Sequence, residues 1–205
     1  MPIEKPSKGT FIGFYPKDNY TVVKYLDITK FLSLLQKESI FFCRIDKFED
    51  KLEGTLPEIN KEFLESKFKE FVEEGLFFKD EIDKYLKDSI ELVEKFKNIT
   101  CIDCWNINAS ESYALWKIYS EMEKGIMIKS TINNLIESFS TSPEKIRISE
   151  VKYIDHTKDF IAPEYVNNYI IHKNIAYSYE QEVRLIHHIE SNLNKLHDWN
   201  LEPYK

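Results

Sequence analysis

Beginning at Tyr20, the chain reads YTVVKYLD, whose β-branched and aromatic residues predict a short strand. Asp27 stands where a helix N-cap belongs, and the following ITKFLSLLQK places Ile28, Phe31, Leu32 and Leu35 on one helical face. ESIFFCR then reads as a buried strand. From Pro57 to about Phe96 the period changes to that of two amphipathic helices. Phe63, Leu64, Phe68, Phe71 and Val72 line the first; Ile82, Tyr85, Leu86, Ile90, Val93 and Phe96 line the second, and Gly75 marks the break. The alternating charges on their outer faces read as solvated surface.

A mixed pattern follows, with NITCIDCW as strand, SESYALWKIYSEM as helix, GIMIKS as strand and TINNLIESF as helix. KIRISEVKYI alternates like a strand, PEYVNNYIIHK has helical spacing, and AYSYEQEVRLIHH, residues 176–188, supplies the last strand. The first 20 residues, with Pro2, Pro6 and Pro16, read as irregular. There is no internal repeat and no strict βαβ alternation. The pattern predicts one α+β domain over residues 1–205, with a mixed, mainly antiparallel sheet, flanking helices and a two-helix insertion at about 57–97 serving as a cover or lid.

Composition narrows the function classes. At 205 residues, 42% hydrophobic and 14% aromatic, the chain can build one sizeable core filled by large side chains. The formal charge of -7, from 35 acidic and 28 basic residues, and the lack of a dense Lys/Arg block count against non-specific nucleic-acid binding. No apolar run approaches the length needed to span a bilayer and the start has no leader pattern, so no membrane partner and a cytoplasmic location are expected. Three cysteines in such a chain are expected to stay reduced, and CIDC, read as strand, points its two thiols to opposite faces.

The last strand holds the main candidate chemistry. Alternation would put Glu180, Glu182, Arg184, Ile186 and His188 on one face and Tyr179, Gln181, Val183, Leu185 and His187 on the other. The two carboxylates would stand about 6.6 Å apart, close enough to engage one ligand and too far to share a proton. Two acids and an arginine on a covered strand must pair or meet a polar ligand. The plain alternative is an exposed Glu–Arg pair, and about two Glu-x-Glu matches arise by chance in so acidic a chain. A second candidate is the Glu150-x-Lys152 spacing in SEVK, found on strands of metal-dependent nucleases, with Asp103 or Asp155 to complete a metal set. Trp105, Trp116 and Tyr119 could stack on a planar ligand, although such aromatics more often fill cores.

In order, VVKYLD, SIFFCRIDKFEDKLEG, CWNINASESYALWKIYSEMEKGIMI, VKY and KNIAYSYEQEVR resemble the bacterial family designated domain of unknown function 2971. The resemblance spans roughly residues 20–188, and it is the order of the pieces that is specific. Where the family carries an Asn-Asp-Pro-Phe-Glu-like segment, this chain reads DKFEDKLEG, without the Asn and the Pro. The family continues further beyond its Glu-x-Glu-x-Arg strand, so a terminal part is expected to be shortened here.

The layout invites a fold-level analogy with ADP-ribosyltransferases, which carry a catalytic Glu, often in Glu-x-Glu, on a late strand. On that analogy NAD is the cofactor and the acceptor is a macromolecule or a small molecule. Glu182 would stabilise the oxocarbenium-like transition state, Glu180 would orient the nucleophile and Arg184 would keep Glu182 ionised. Lys24, Tyr25 and Arg44 would meet the pyrophosphate, and Trp116 or Tyr119 would stack on a ring. This reading requires Glu182 in a cleft facing Lys24 or Arg44. Two other readings stand beside it, a metal-dependent nuclease centred on Glu150 and Lys152 and a non-catalytic binding or regulatory module.

Overall fold

The computed structural model describes residues 3–4, 13–76, 78–120, 124–163 and 165–189. In chain order its elements are β1 (Ile3–Glu4), β2 (Thr21–Asp27), α1 (Ile28–Lys37), β3 (Cys43–Arg44), α2 (Glu58–Glu73), α3 (Ile82–Ile99), β4 (Thr100–Ile107) and α4 (Tyr113–Tyr119). These are followed by β5 (Gly125–Thr131), α5 (Ile132–Ser138), β6 (Ile146–Glu150), β7 (Lys152–Ile154), α6 (Asn167–Ile170), β8 (His172–Asn174) and β9 (Glu182–His188). The architecture is α+β, as the pattern predicts.

The main sheet has the order β1-β6-β9-β4-β2-β5, with β3 also paired to β4. β1 runs parallel to β6 and the remaining pairs of this sheet are antiparallel. β7 and β8 form a separate parallel pair. β9 is held from both edges, Glu182 opposite Asn106 of β4 and Arg184 opposite both Cys104 of β4 and Ser149 of β6.

The sheet is covered on both faces. On one, Val22, Trp105, Ile148, Val183 and Leu185 pack against Ile132 and Leu135 of α5. On the other, Ile102 and Ile186 pack against Phe96 and Ile99 of α3 with Ile45, Ile170 and Ile171, while Val23 and Tyr25 pack against Leu115 of α4. A strand covered on two sides has no solvated face for its charges, so those on β9 must be answered within the protein.

Local signals behave as read at several junctions. Asp27 caps α1, its side chain accepting from the Lys30 N–H, and α1 runs over the ten residues of ITKFLSLLQK. Gly75 takes a φ of 76° between α2 and α3, which Gly adopts without cost.

Elsewhere tertiary demands override the pattern. ESIFFCR pairs only at Cys43–Arg44, while Phe41 faces solvent. β2 pairs with the other end of β4, Val22 opposite Ile107 and Val23 opposite Asn106. KIRISEVKYI splits at Val151, whose N–H donates to the Glu182 carbonyl, and Lys152 onward joins β8 instead. Within PEYVNNYIIHK the helix covers only Asn167–Ile170, because Arg184 takes the Ile170 carbonyl and His172–Asn174 pairs with β7. Ile3 and Glu4 add a strand where irregular chain was expected. On α1 it is Phe31, Ser33 and Leu34 that are half-buried, whereas Leu32 and Leu35 are each 56% exposed. The proposed shortening of the family's terminal part falls on residues 190–205, outside the described residues.

Candidate functional site

AYSYEQEVRLIHH is not one strand. Ile175–Glu180 forms a 3-10 turn, Gln181 takes the left-handed conformation with φ 44°, and β9 starts at Glu182. For a residue with a side chain this backbone costs about 1 kcal/mol. Its effect is to swing the Glu180 carboxylate back over the strand, so that Glu180 and Glu182 converge instead of standing one pleat apart. Lys173 of β8 meets both, its Nζ 2.5 Å from Glu180 Oε2 and 2.8 Å from Glu182 Oε1. The two carboxyl groups adjoin each other as well, which corrects the expectation that they are too far apart to share a proton.

Arg184 completes the centre of the cluster. Its Nε donates to Glu182 Oε2 at 2.8 Å, its Nη1 to the Ile170 carbonyl at 2.5 Å, and its Nη2 to both Glu53 and Glu182. Glu53 arrives from the turn ahead of α2, and the adjoining Gly54 explains its placement. Gly54 has a φ of 66°, and a Cβ there would lie 3.2 Å from Lys97 Cγ and 3.3 Å from Ile45 Cγ2. Three acids and two cations therefore meet in the interior, and Arg184 itself has no exposed surface.

Secondary contacts fix this geometry. The Tyr119 hydroxyl donates to Glu180 Oε1 at 2.5 Å, the Asn106 amide donates to the Glu180 carbonyl, and the Tyr153 hydroxyl accepts from the Glu182 N–H. The Tyr177 ring lies 4.8 Å from Lys173 Nζ, a cation–π contact that covers the ammonium.

The electrostatics divide the carboxylates. Burial pushes Glu182 up, but Arg184 and Lys173 outweigh it and hold it at about 2, so it stays ionised. Burial and then the adjoining Glu182 push Glu180 up to about 7 despite Lys173. Burial also raises Glu53, against the pull of Arg184. The cluster has one carboxylate too many for its cations, and Glu180 is where a proton resides near neutral pH. Tyr119 is raised by burial and by Glu180, so it remains a phenol that donates. At the far end of the same strand face, burial lowers His188 to about 3, leaving it neutral against Thr100.

The predicted site residues are thus separated. Glu180, Glu182, Arg184 and Tyr119 come together. Lys24 lies on the opposite face of the sheet, 2.6 Å from Asp103, with Trp105 donating to the same carboxylate. Arg44 clamps Asp46 at 2.8 and 2.9 Å, a pairing that holds Asp46 at about 2. Tyr25 packs edge-on against Trp116 at 5.0 Å, with its hydroxyl accepting from the Ser112 N–H, while Trp116 donates to Glu111. Glu182 is only 3% exposed and faces Lys173 and Arg184, not a cleft shared with Lys24 or Arg44.

Of the nuclease set, Glu150 ends β6, Lys152 starts β7, Asp103 is held by Lys24 and Asp155 binds Thr157 and Lys158. No group of three His, Cys, Asp or Glu with metal-holding geometry occurs among the described residues. Cys43, Cys101 and Cys104 are all free thiols.

Sequence reading missed Glu53 and Lys173 as partners. The signal was nevertheless present, since both lie in segments that carry the family resemblance, LEG and KNIAYSYEQEVR, more than a hundred residues apart and joined at one point in space. Residues 115–185 match the family model described as Protein of unknown function (DUF2971), a span that holds Tyr119, Lys173, Glu180, Glu182 and Arg184. No curated protein matches the chain. No solved structure matches it either. No described helix is long and apolar enough to cross a membrane.

Proposed function

We propose that this domain is a binding and regulatory module in which the charged cluster is a latch and not a catalytic centre. One observation carries this reading: Glu182 is closed in by Lys173 and Arg184, with both carboxylate oxygens occupied. A catalytic carboxylate that stabilises an oxocarbenium-like transition state needs a face open to the substrate. Here both oxygens serve to join β8, β9 and, through Arg184, the turn that carries Glu53. Buried ionic groups of this kind lend more to specificity of arrangement than to net stability.

The NAD-dependent transferase remains the second reading, favoured by the convergence of Glu180 and Glu182 at the mouth of β9 beside Tyr119. Incubation with labelled NAD and candidate acceptors, alongside Glu182→Gln, separates the two. The latch reading expects no label transfer by either protein; transfer that is lost in the variant would overturn it and restore the transferase.

A further inference from the structure

β5 forms one edge of the main sheet, paired to β2 alone among the described strands. The Ile132 N–H donates to the Tyr20 carbonyl, and on the far side of β2 the Asn108 N–H donates to the Thr21 carbonyl. Even-numbered residues of β2 therefore turn their backbone groups to β5 and odd-numbered ones to β4, so in β5 the N–H and C=O of Met127, Lys129 and Thr131 point away from the sheet. None of these groups has a hydrogen-bond partner among the described residues. β5 is half-buried along its length, with Lys129 exposed, whereas β9 is buried almost throughout. It carries none of the usual features that blunt an edge, being seven residues long, free of Pro and paired one-to-one with β2 without a bulge. Its single charge, Lys129, donates to the Ala109 carbonyl.

α1 lies against β2 and β5. Phe31 and Leu34 are half-buried, while Ile28, Leu32 and Leu35, a stripe at helical spacing about a quarter turn away, are exposed. An open strand edge and an uncovered apolar stripe thus belong to neighbouring elements.

We propose that β5 is a dimerisation edge, pairing antiparallel with β5 of a second copy about a two-fold axis at Ile128, with the two α1 helices meeting across that axis. In this register Gly125 faces Thr131 of the second copy, Met127 faces Lys129 and Ile128 faces its own counterpart. Every outward N–H and C=O of Met127 and Lys129 is then answered, no like charges stand opposite one another, and the two Ile128 side chains meet in the pair type that approaches most closely. With strands about 4.8 Å apart, a helix seated over β2 and β5 stands about 10 Å from its symmetry mate, the spacing at which helices pack. The sheet's other edge, β1, offers only Ile3–Glu4, so head-to-tail edge pairing has no matching strand and the two-fold arrangement closes. The surface lies beyond β4 and β2 from β9 and does not rest on the latch reading.

Sedimentation of the full chain at about 50 µM, with backbone amide exchange followed by NMR, tests the proposal. A dimer is expected, with the Met127, Lys129 and Thr131 amides exchanging at least about tenfold more slowly than in a dissociated variant. Lys129→Pro removes an outward N–H and an exposed side chain and keeps the bonds to β2, and Leu32→Glu sets a charge on the exposed stripe without touching the strand. Each should weaken dimerisation by about tenfold or more, with circular dichroism unchanged at least in Leu32→Glu. A monomer at that concentration overturns the proposal, whether its outward β5 amides exchange freely or are protected by another segment of the same chain. A dimer whose β5 amides exchange freely, or one that persists at wild-type affinity in Leu32→Glu and in a folded Lys129→Pro, overturns it as well.

Discussion

Two buried ionic groups lie back to back across the central sheet, and they solve the problem of buried charge differently. On one face Lys24 and Asp103 form a one-to-one pair, supported by the Trp105 indole, with the Lys24 side chain still 16% exposed. On the other, Glu53, Glu180, Glu182, Lys173 and Arg184 form a network in which acids outnumber cations. A balanced pair answers its own charge. An odd-numbered network must hold a proton, move, or meet another charge, which makes it sensitive to its surroundings in a way the pair is not.

The largest contrast between the faces should come from removing one cation from each. Arg184→Met leaves Glu53 and Glu182 buried without their shared partner and should cost about 3–5 kcal/mol, enough to threaten folding. Lys24→Met strands only Asp103, which keeps the Trp105 N–H, so the loss should be about 2 kcal/mol. Urea denaturation of both variants measures the difference. Equal losses would mean that the network is no more interlocked than the pair.

The second contrast is in pH. Glu180 is raised to about 7 in the folded protein from an ordinary value of 4.5, so between these two pH values the folded state holds a proton that the unfolded chain has lost. Stability therefore falls as pH rises through this window and levels off above it, by about 3 kcal/mol. Glu182, held at about 2, acts in the opposite sense: its contribution is present above 4.5 and is lost as pH falls towards 2. Glu180→Gln should flatten the upper slope and leave the lower one, as followed by thermal melting across about pH 2 to 8 in roughly half-unit steps. An unchanged upper slope would place the extra proton elsewhere in the network, with Glu53 the next group to test.

Which parts of this contrast were legible in the sequence follows from the range of the forces involved. The cap at Asp27, the extent of α1 and the break at Gly75 are set by neighbours a few residues away, and the local pattern shows them. The strand alternation of β9 likewise put Glu182 and Arg184 on one face. The position of Glu180 was misread because one left-handed residue, Gln181, ends the alternation, and nothing in its residue type announces it. Glu53 and Lys173 were missed because only tertiary packing brings them to Arg184 and Glu182. That Lys24 and Glu182 stand on opposite faces was not legible either, because it depends on β2 pairing with β4 at Val22 and Val23, a register that period-2 alternation within β2 does not specify.

The smallest effect should fall where the network reaches the surface. Tyr119 sits at the end of α4 and donates to Glu180 while its ring remains partly exposed, so it links the latch to solvent. Tyr119→Phe removes one hydrogen bond and no charge, and should cost about 1 kcal/mol. The sign of its pH effect is more informative than its size. The phenol stabilises a Glu180 carboxylate by donating to it, so its loss should move the upper stability transition to higher pH. A transition that stays in place would show that Tyr119 closes the latch sterically and has no electrical hold on Glu180. Lys24→Met on the opposite face should leave that transition where it is, because its partner Asp103 lies outside the network.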